Sequence, residues 1–201
     1  MTAEHFRGRS SPPDPNTATL QAMTKDGRSN WDEALLGNRR HHTEVTLLDG
    51  RNFSYDKNSC VQKAQREVYG AEWSVLFQSF QGFANRVMQE TMDSALAEEA
   101  RRQWAHCMRE AGHRYKDAQD PRRAVQALLD RADGDPARLR ITGRKELLIA
   151  RKDSDCERKV RLHEAVLNAQ ATVEKRVLAG HEVAYRRLVE LRRQALARLS
   201  R

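Results

Sequence analysis

Apolar residues along this chain change their spacing several times, and each spacing predicts a different element. "SNWDEALLG" places Trp31, Leu35 and Leu36 at helical intervals. Ser29 or Asn30 is placed to cap that helix and Gly37 to stop it. The period then shortens to two. In "HTEVTLLDGRNFSY", Val45 and Leu47 alternate with Thr46 and Leu48, and Phe53 and Tyr55 alternate on the return. Asp49-Gly50 reads as a two-residue turn, which predicts a β-hairpin at about 43–56. An isolated hairpin is marginal in water, so this one is expected to lay its apolar face on a helix.

Helical spacing resumes in "NSCVQKAQREVYG", capped by Asn58 or Ser59 and closed by Gly70. A long helix is then expected from about 72 to 111. Leu76, Phe80, Phe83 and Val87 step by four, three and four, a helix seam. Met92 and Leu96 continue it, Trp104, Cys107 and Met108 restore it, and Gly112 suits the position just past its end. "DPRRAVQALLDRADGDP" predicts a short helix opened by Asp120-Pro121. The last helix is expected after Thr142-Gly143, running toward the C-terminus, with Gly180 a candidate bend. Its apolar positions include Leu147, Leu148, Cys156, Val160, Leu167, Val173, Val177, Leu188, Leu191, Ala195 and Leu199.

The predicted fold is mainly α. Two long helices, joined by a loop carrying a short helix, form an antiparallel hairpin, with short accessory helices and one small β-hairpin near the N-terminus. Residues 1–29 hold three of the five prolines and lack apolar periodicity, so they read as a flexible leader or tether. Residues 30–201 read as a single helical domain.

Composition agrees with a thin core under long solvated helices: 39% of residues are apolar and 32% charged. The net charge of +8 is uneven. From Pro121 onward there are 20 Lys/Arg against 11 Asp/Glu, and before it 16 against 17. The basic half suits a polyanion, but its charges are interleaved with acids as on an ordinary solvated helix. No stretch approaches the roughly 20 apolar residues that cross a bilayer. "MTAEHFRGRSSPPDPNTATLQ" lacks the apolar core of a signal peptide. Either the chain is cytoplasmic, or its sequence begins after a removed signal or lipid-anchor segment.

Three cysteines stand at 60, 107 and 156, none in a Cys-x-x-Cys pair, which argues against a zinc ribbon or dithiol redox site. Cys107 lies near the end of the first long helix and Cys156 near the start of the last. Residues flanking the connection of an antiparallel pair face one another, so these two suit either a disulfide or a pair of buried thiols. Cys60 opens a helix, where a nucleophile is conceivable, but no His or Asp stands nearby in sequence as its partner.

His106, Cys107 and His113 are the best metal candidates, yet adjacent helical residues point about 100° apart and chelate poorly together. His163 and His181 read as packed polar residues. Glu98/Glu99 and Asp153/Asp155 read as surface charge. No phosphate loop, dinucleotide fingerprint, nucleophile elbow or zinc-protease signature is found, so the expectation is no enzyme, cofactor or metal. "YRRLVELRRQALARLSR" is a basic amphipathic helix whose Arg186, Arg187, Arg192 and Arg193 suit an anionic surface, or simply the helix dipole. Phe77, Phe80 and Phe83 are expected to offer the widest apolar partner surface.

The motif order resembles a group of secreted proteins and lipoproteins of actinobacteria with no established activity. It is carried by "WDEALLG", "VTLLDGRNFS", "SCVQKAQREVYG", "WAHCMREAGHRY", "DPRRAV" and "ELLIARKDSDC". The strongest parts are W-x-x-C-M-x-x-x-G and A-x-x-D-x-x-C, the latter at Ala150, Asp153 and Cys156. The resemblance implies an extracytoplasmic, secreted or membrane-anchored protein. That setting favours the Cys107–Cys156 disulfide and disfavours nucleic acid as the partner. The expected role is non-enzymatic binding of a peptide, a protein or an envelope component. The alternative is a cytoplasmic nucleic-acid-binding protein using the basic last helix.

Overall fold

The computed structural model describes residues 14–199. The fold is mainly α with one small antiparallel sheet, as the apolar spacing predicts. The contacts divide it into two compact units where the sequence suggests one. One unit holds residues 14–86 and 178–199, the other 87–177.

The first unit opens with α1 (Thr17–Ala22) and α2 (Lys25–Leu36). The expected leader is therefore helical in its second half. Its first 13 residues lie outside those described. The missed signal is Thr24, whose hydroxyl accepts from the Gly27 amide at 3.1 Å and caps α2 five residues before the expected start. Gly37 ends α2 at φ 99 and ψ 165, a conformation open essentially to glycine alone. A Cβ there would lie 2.3 Å from Cβ of the buried Asp56. Asp56 in turn accepts from the Asn38 and Asn58 amides, tying the end of α2 to the exit of the hairpin.

A single 3₁₀ turn (Arg39–His41) leads into β1 (Thr43–Thr46), which pairs with β2 (Asn52–Tyr55). Val45 faces Phe53 and Thr43 faces Tyr55. The turn differs from expectation. The Gly50 amide bonds to the Leu47 carbonyl at 3.0 Å, which puts Leu48-Asp49 at the centre and leaves Gly50 alone at positive φ, 83°. This is a three-residue hairpin loop with its glycine in the left-handed position. The hairpin lies on α4 (Trp73–Met92) as required. Leu47 is buried, the Leu48 amide donates to Ser79 Oγ at 3.0 Å, and Arg51 donates to the Gln78 carbonyl. Gly82 allows this close approach, because a Cβ there would collide with Asp49 and Arg51 side chains.

Between hairpin and α4 runs α3 (Cys60–Tyr69), capped by Ser59 and ended by Gly70. It packs on α2 and on α9 (Glu182–Leu199).

The second unit contains the end of α4, then α5 (Ala95–Glu110), α6 (Asp120–Ala132), α7 (Pro136–Val160) and α8 (Leu162–Val177). The expected single helix over 72–111 is broken between Met92 and Ala95, where Ser94 caps α5 through the Ala97 amide. Gly112 follows α5, and the His113 amide bonds back to the Met108 carbonyl at 2.8 Å.

The last long helix is likewise segmented. It begins at Pro136, with Asp135 capping through the Arg138 amide at 2.7 Å. Gly143 lies inside it rather than before it. Arg161 breaks the run in a left-handed conformation (φ 54), and Gly180 breaks it again (φ 81).

Antiparallel packing in this unit is made by α8 against the α4–α5 run. Arg176 near the end of α8 pairs with Glu90, and Leu162 at its start joins Trp104 and Met108 in the core. Trp104 and Met108 are fully buried, with Ala100 and Cys156 around them.

Candidate functional site

Helices α5 and α7 are joined by three successive contacts. The Trp104 indole N–H donates to Asp153 Oδ1 at 2.9 Å. Cys107 and Cys156 form a disulfide with their Cα atoms 5.7 Å apart. Lys159 Nζ lies 3.7 Å from Glu110 Oε2. Each contact spans 49 residues. A constant separation is the register of helices running in the same direction. Cys107 and Cys156 are the pair expected from the sequence, but they do not face one another across a single antiparallel reversal. Because α6 forms its own antiparallel pair with α7, the chain reverses twice, and α7 comes back parallel to α5.

The disulfide is half-exposed at Cys107 and buried at Cys156. It closes a loop long enough to stabilise the fold by about 4 kcal/mol in the chain-entropy account. Asp153, expected as surface charge, is instead a half-buried acceptor for the buried tryptophan. The signal was present: "WAHCMRE" and "DSDCERK" place each pair of partners at matching offsets of three.

Beside this ladder lies an open cleft of about 900 Å³. One wall is a single face of α5, carrying Glu98, Arg101, Arg102, Ala105, His106 and Arg109. The other is the segment from Arg114 to Asp117, with Tyr115 half-buried against the core cluster. Burial, followed by the charges of Asp120 and Asp153, pushes the Tyr115 phenol above its ordinary pKa, so it stays protonated.

The cleft's charges are unbalanced. Both acids are occupied: Glu98 bonds Arg102 at 2.7 Å, and Asp117 bonds Arg123 at 2.7 Å. Arg101 donates to the Met92 carbonyl. Arg109, Arg114 and the Lys116 ammonium make no ion pair among the described residues. Three cations thus border an apolar floor with no anion to satisfy them. Asp120 holds the lower wall in shape. It accepts from the Lys116 and Asp117 amides and from Arg123, and its pKa is lowered to about 2, most by the Lys116 amide.

The other predicted surface is only partly available. Phe83 is buried, 3% exposed, with its ring against His181, so it offers nothing to a partner. Phe80 is half-buried between Phe83 and Tyr185. Phe77 stacks on Trp73, which stacks on Tyr69. Arg187 is held by Glu72 at 2.5 Å and Arg193 by Glu190 at 2.9 Å, while Arg186 and Arg192 are exposed. His163 is exposed rather than packed. Cys60 is exposed and unbonded. Among the described residues, no three His, Cys, Asp or Glu side chains are grouped to hold a metal ion, and no helix is long and apolar enough to cross a membrane.

Comparisons with family models, with curated proteins and with solved structures give no match to this chain.

Proposed function

We propose that this chain is a non-enzymatic binding protein of an extracytoplasmic compartment, and that the α5 cleft takes an acidic, partly apolar segment of a peptide or protein partner. The observation that carries this reading is the set of unpaired cations, Arg109, Arg114 and Lys116, around a floor made by Ala105 and Tyr115. Acidic side chains on a partner would satisfy the rim, and its apolar side chains would cover the floor. The setting outside the cytoplasm is supported by the disulfide, which oxidising compartments sustain, and by the resemblance to secreted actinobacterial proteins.

The test is a titration of the full-length oxidised chain into a labelled peptide alternating Glu and Leu, with a Lys/Leu peptide as control. Binding of the acidic peptide alone is expected, weakening as salt rises. The Arg109→Glu/Arg114→Glu double variant should bind it at least about tenfold more weakly. Equal binding of both peptides, or an unchanged affinity in the double variant, would remove the cleft from the account.

A further inference from the structure

Helix α7 carries two apolar residues of the expected seam on its exposed side. Leu147 and Leu148 are 61% and 60% exposed, and Ile141 on the same side is 48% exposed. The buried positions, Thr142, Ile149 and Cys156, lie on the opposite side. At 100° per residue Arg140, Arg144, Leu147, Leu148 and Arg151 point away from them, and Ile141, Lys145 and Lys152 form one edge of the same exposed arc. All eight are exposed, and the arc is about 18 Å long.

The charges on this arc are of one sign. Its five cations make no ion pair among the described residues. The one acid between Arg138 and Lys152 is Glu146, half-buried toward the groove between α6 and α7. Three large aliphatic side chains set among five cations without ion pairs are complementary to a partner that is anionic at its surface and apolar just beneath.

We propose that this face of α7 rests on an anionic lipid surface, with Ile141, Leu147 and Leu148 entering the headgroup boundary and the cations meeting lipid phosphates. A nucleic acid would satisfy the cations but gives exposed leucines no return, so the aliphatic residues favour lipid. The proposal makes no use of the α5 cleft, and the two fail separately.

The test is co-sedimentation of the full-length oxidised chain with phosphatidylglycerol vesicles and with phosphatidylcholine vesicles. Binding is expected to the first and not the second. Arg144→Glu/Arg151→Glu should weaken it at least about thirtyfold, and Leu147→Ser/Leu148→Ser about tenfold. All four positions are exposed, and circular dichroism confirms that each variant stays folded. Arg186→Glu/Arg192→Glu on α9 should bind within about twofold of the parent chain. Absence of binding to phosphatidylglycerol at low salt overturns the proposal, as does full binding by the Glu variant of α7. If the Ser variant binds vesicles as the parent does, the face attracts polyanions generally and the lipid assignment is wrong.

Discussion

The Trp104 indole donates to Asp153 across the same 49-residue separation that joins Cys107 to Cys156. The tryptophan is fully buried, so its N–H has no access to water if the carboxylate is lost. Asp153→Ala is expected to cost about 1–3 kcal/mol, the desolvation penalty of an orphaned donor. Asp153→Asn keeps an acceptor and should cost less. Urea unfolding of the oxidised proteins measures both, and equal costs would show that the hydrogen bond contributes little.

Removing the covalent contact should cost more. Cys107→Ala/Cys156→Ala is expected to lose about 4 kcal/mol, since a loop of this length becomes free in the unfolded chain. The loss should nearly vanish when parent and variant are compared under reducing conditions. A difference that persists there would come from packing of the buried Cys156 rather than from the bond.

The Trp104–Asp153 contact is legible in the sequence. Matching Trp-x-x-Cys and Asp-x-x-Cys segments encode a parallel register without any knowledge of the fold. Helix caps and the hairpin strands were legible because they are local: Ser59, Gly37, Gly70 and Gly112 all act within one turn. Segmentation was harder. Arg161 adopts a left-handed conformation that its residue type does not signal, since glycine and asparagine are the usual occupants of that region. Burial on long helices was also misjudged at Leu147, Leu148 and Phe83, since apolar spacing fixes which residues share a face but not which face is covered. The cleft's cations carry no signal in the sequence, because what marks them is the absence of an ion-pair partner in space.

At the end of α2, Gly37→Ala should destabilise the first unit by more than about 2 kcal/mol. The backbone conformation excludes a side chain, and the new methyl would collide with Asp56. Asn38→Ala removes only a side chain from the same corner and serves as the comparison. A mild effect of Gly37→Ala in thermal unfolding would mean that this corner yields easily.

Two carboxyls predict opposite responses to pH. The Asp120 pKa is depressed to about 2 by the Lys116 amide, Arg123 and the Asp117 amide. Its stabilising effect is therefore full above the unfolded value of about 3.9 and is lost as pH falls through about 2. Asp120→Asn should be less stable than the parent at pH 7, and the gap should close toward pH 2. The Glu157 pKa is raised by burial and by Asp153. Its ionisation on raising the pH costs stability, so Glu157→Gln should be the more stable protein at pH 7 and no different at pH 3. Parallel unfolding curves across this range would contradict both assignments.

The proposed function is that of a disulfide-stapled helical protein that binds its partner outside the cytoplasm. Its most direct test is the thiol state of the chain taken from its own cells, quenched with acid and alkylated before and after reduction. The account predicts one labelled thiol before reduction, Cys60, and three after, with peptide mapping joining Cys107 to Cys156. Three labelled thiols at the outset would contradict it and return the chain to a reducing compartment.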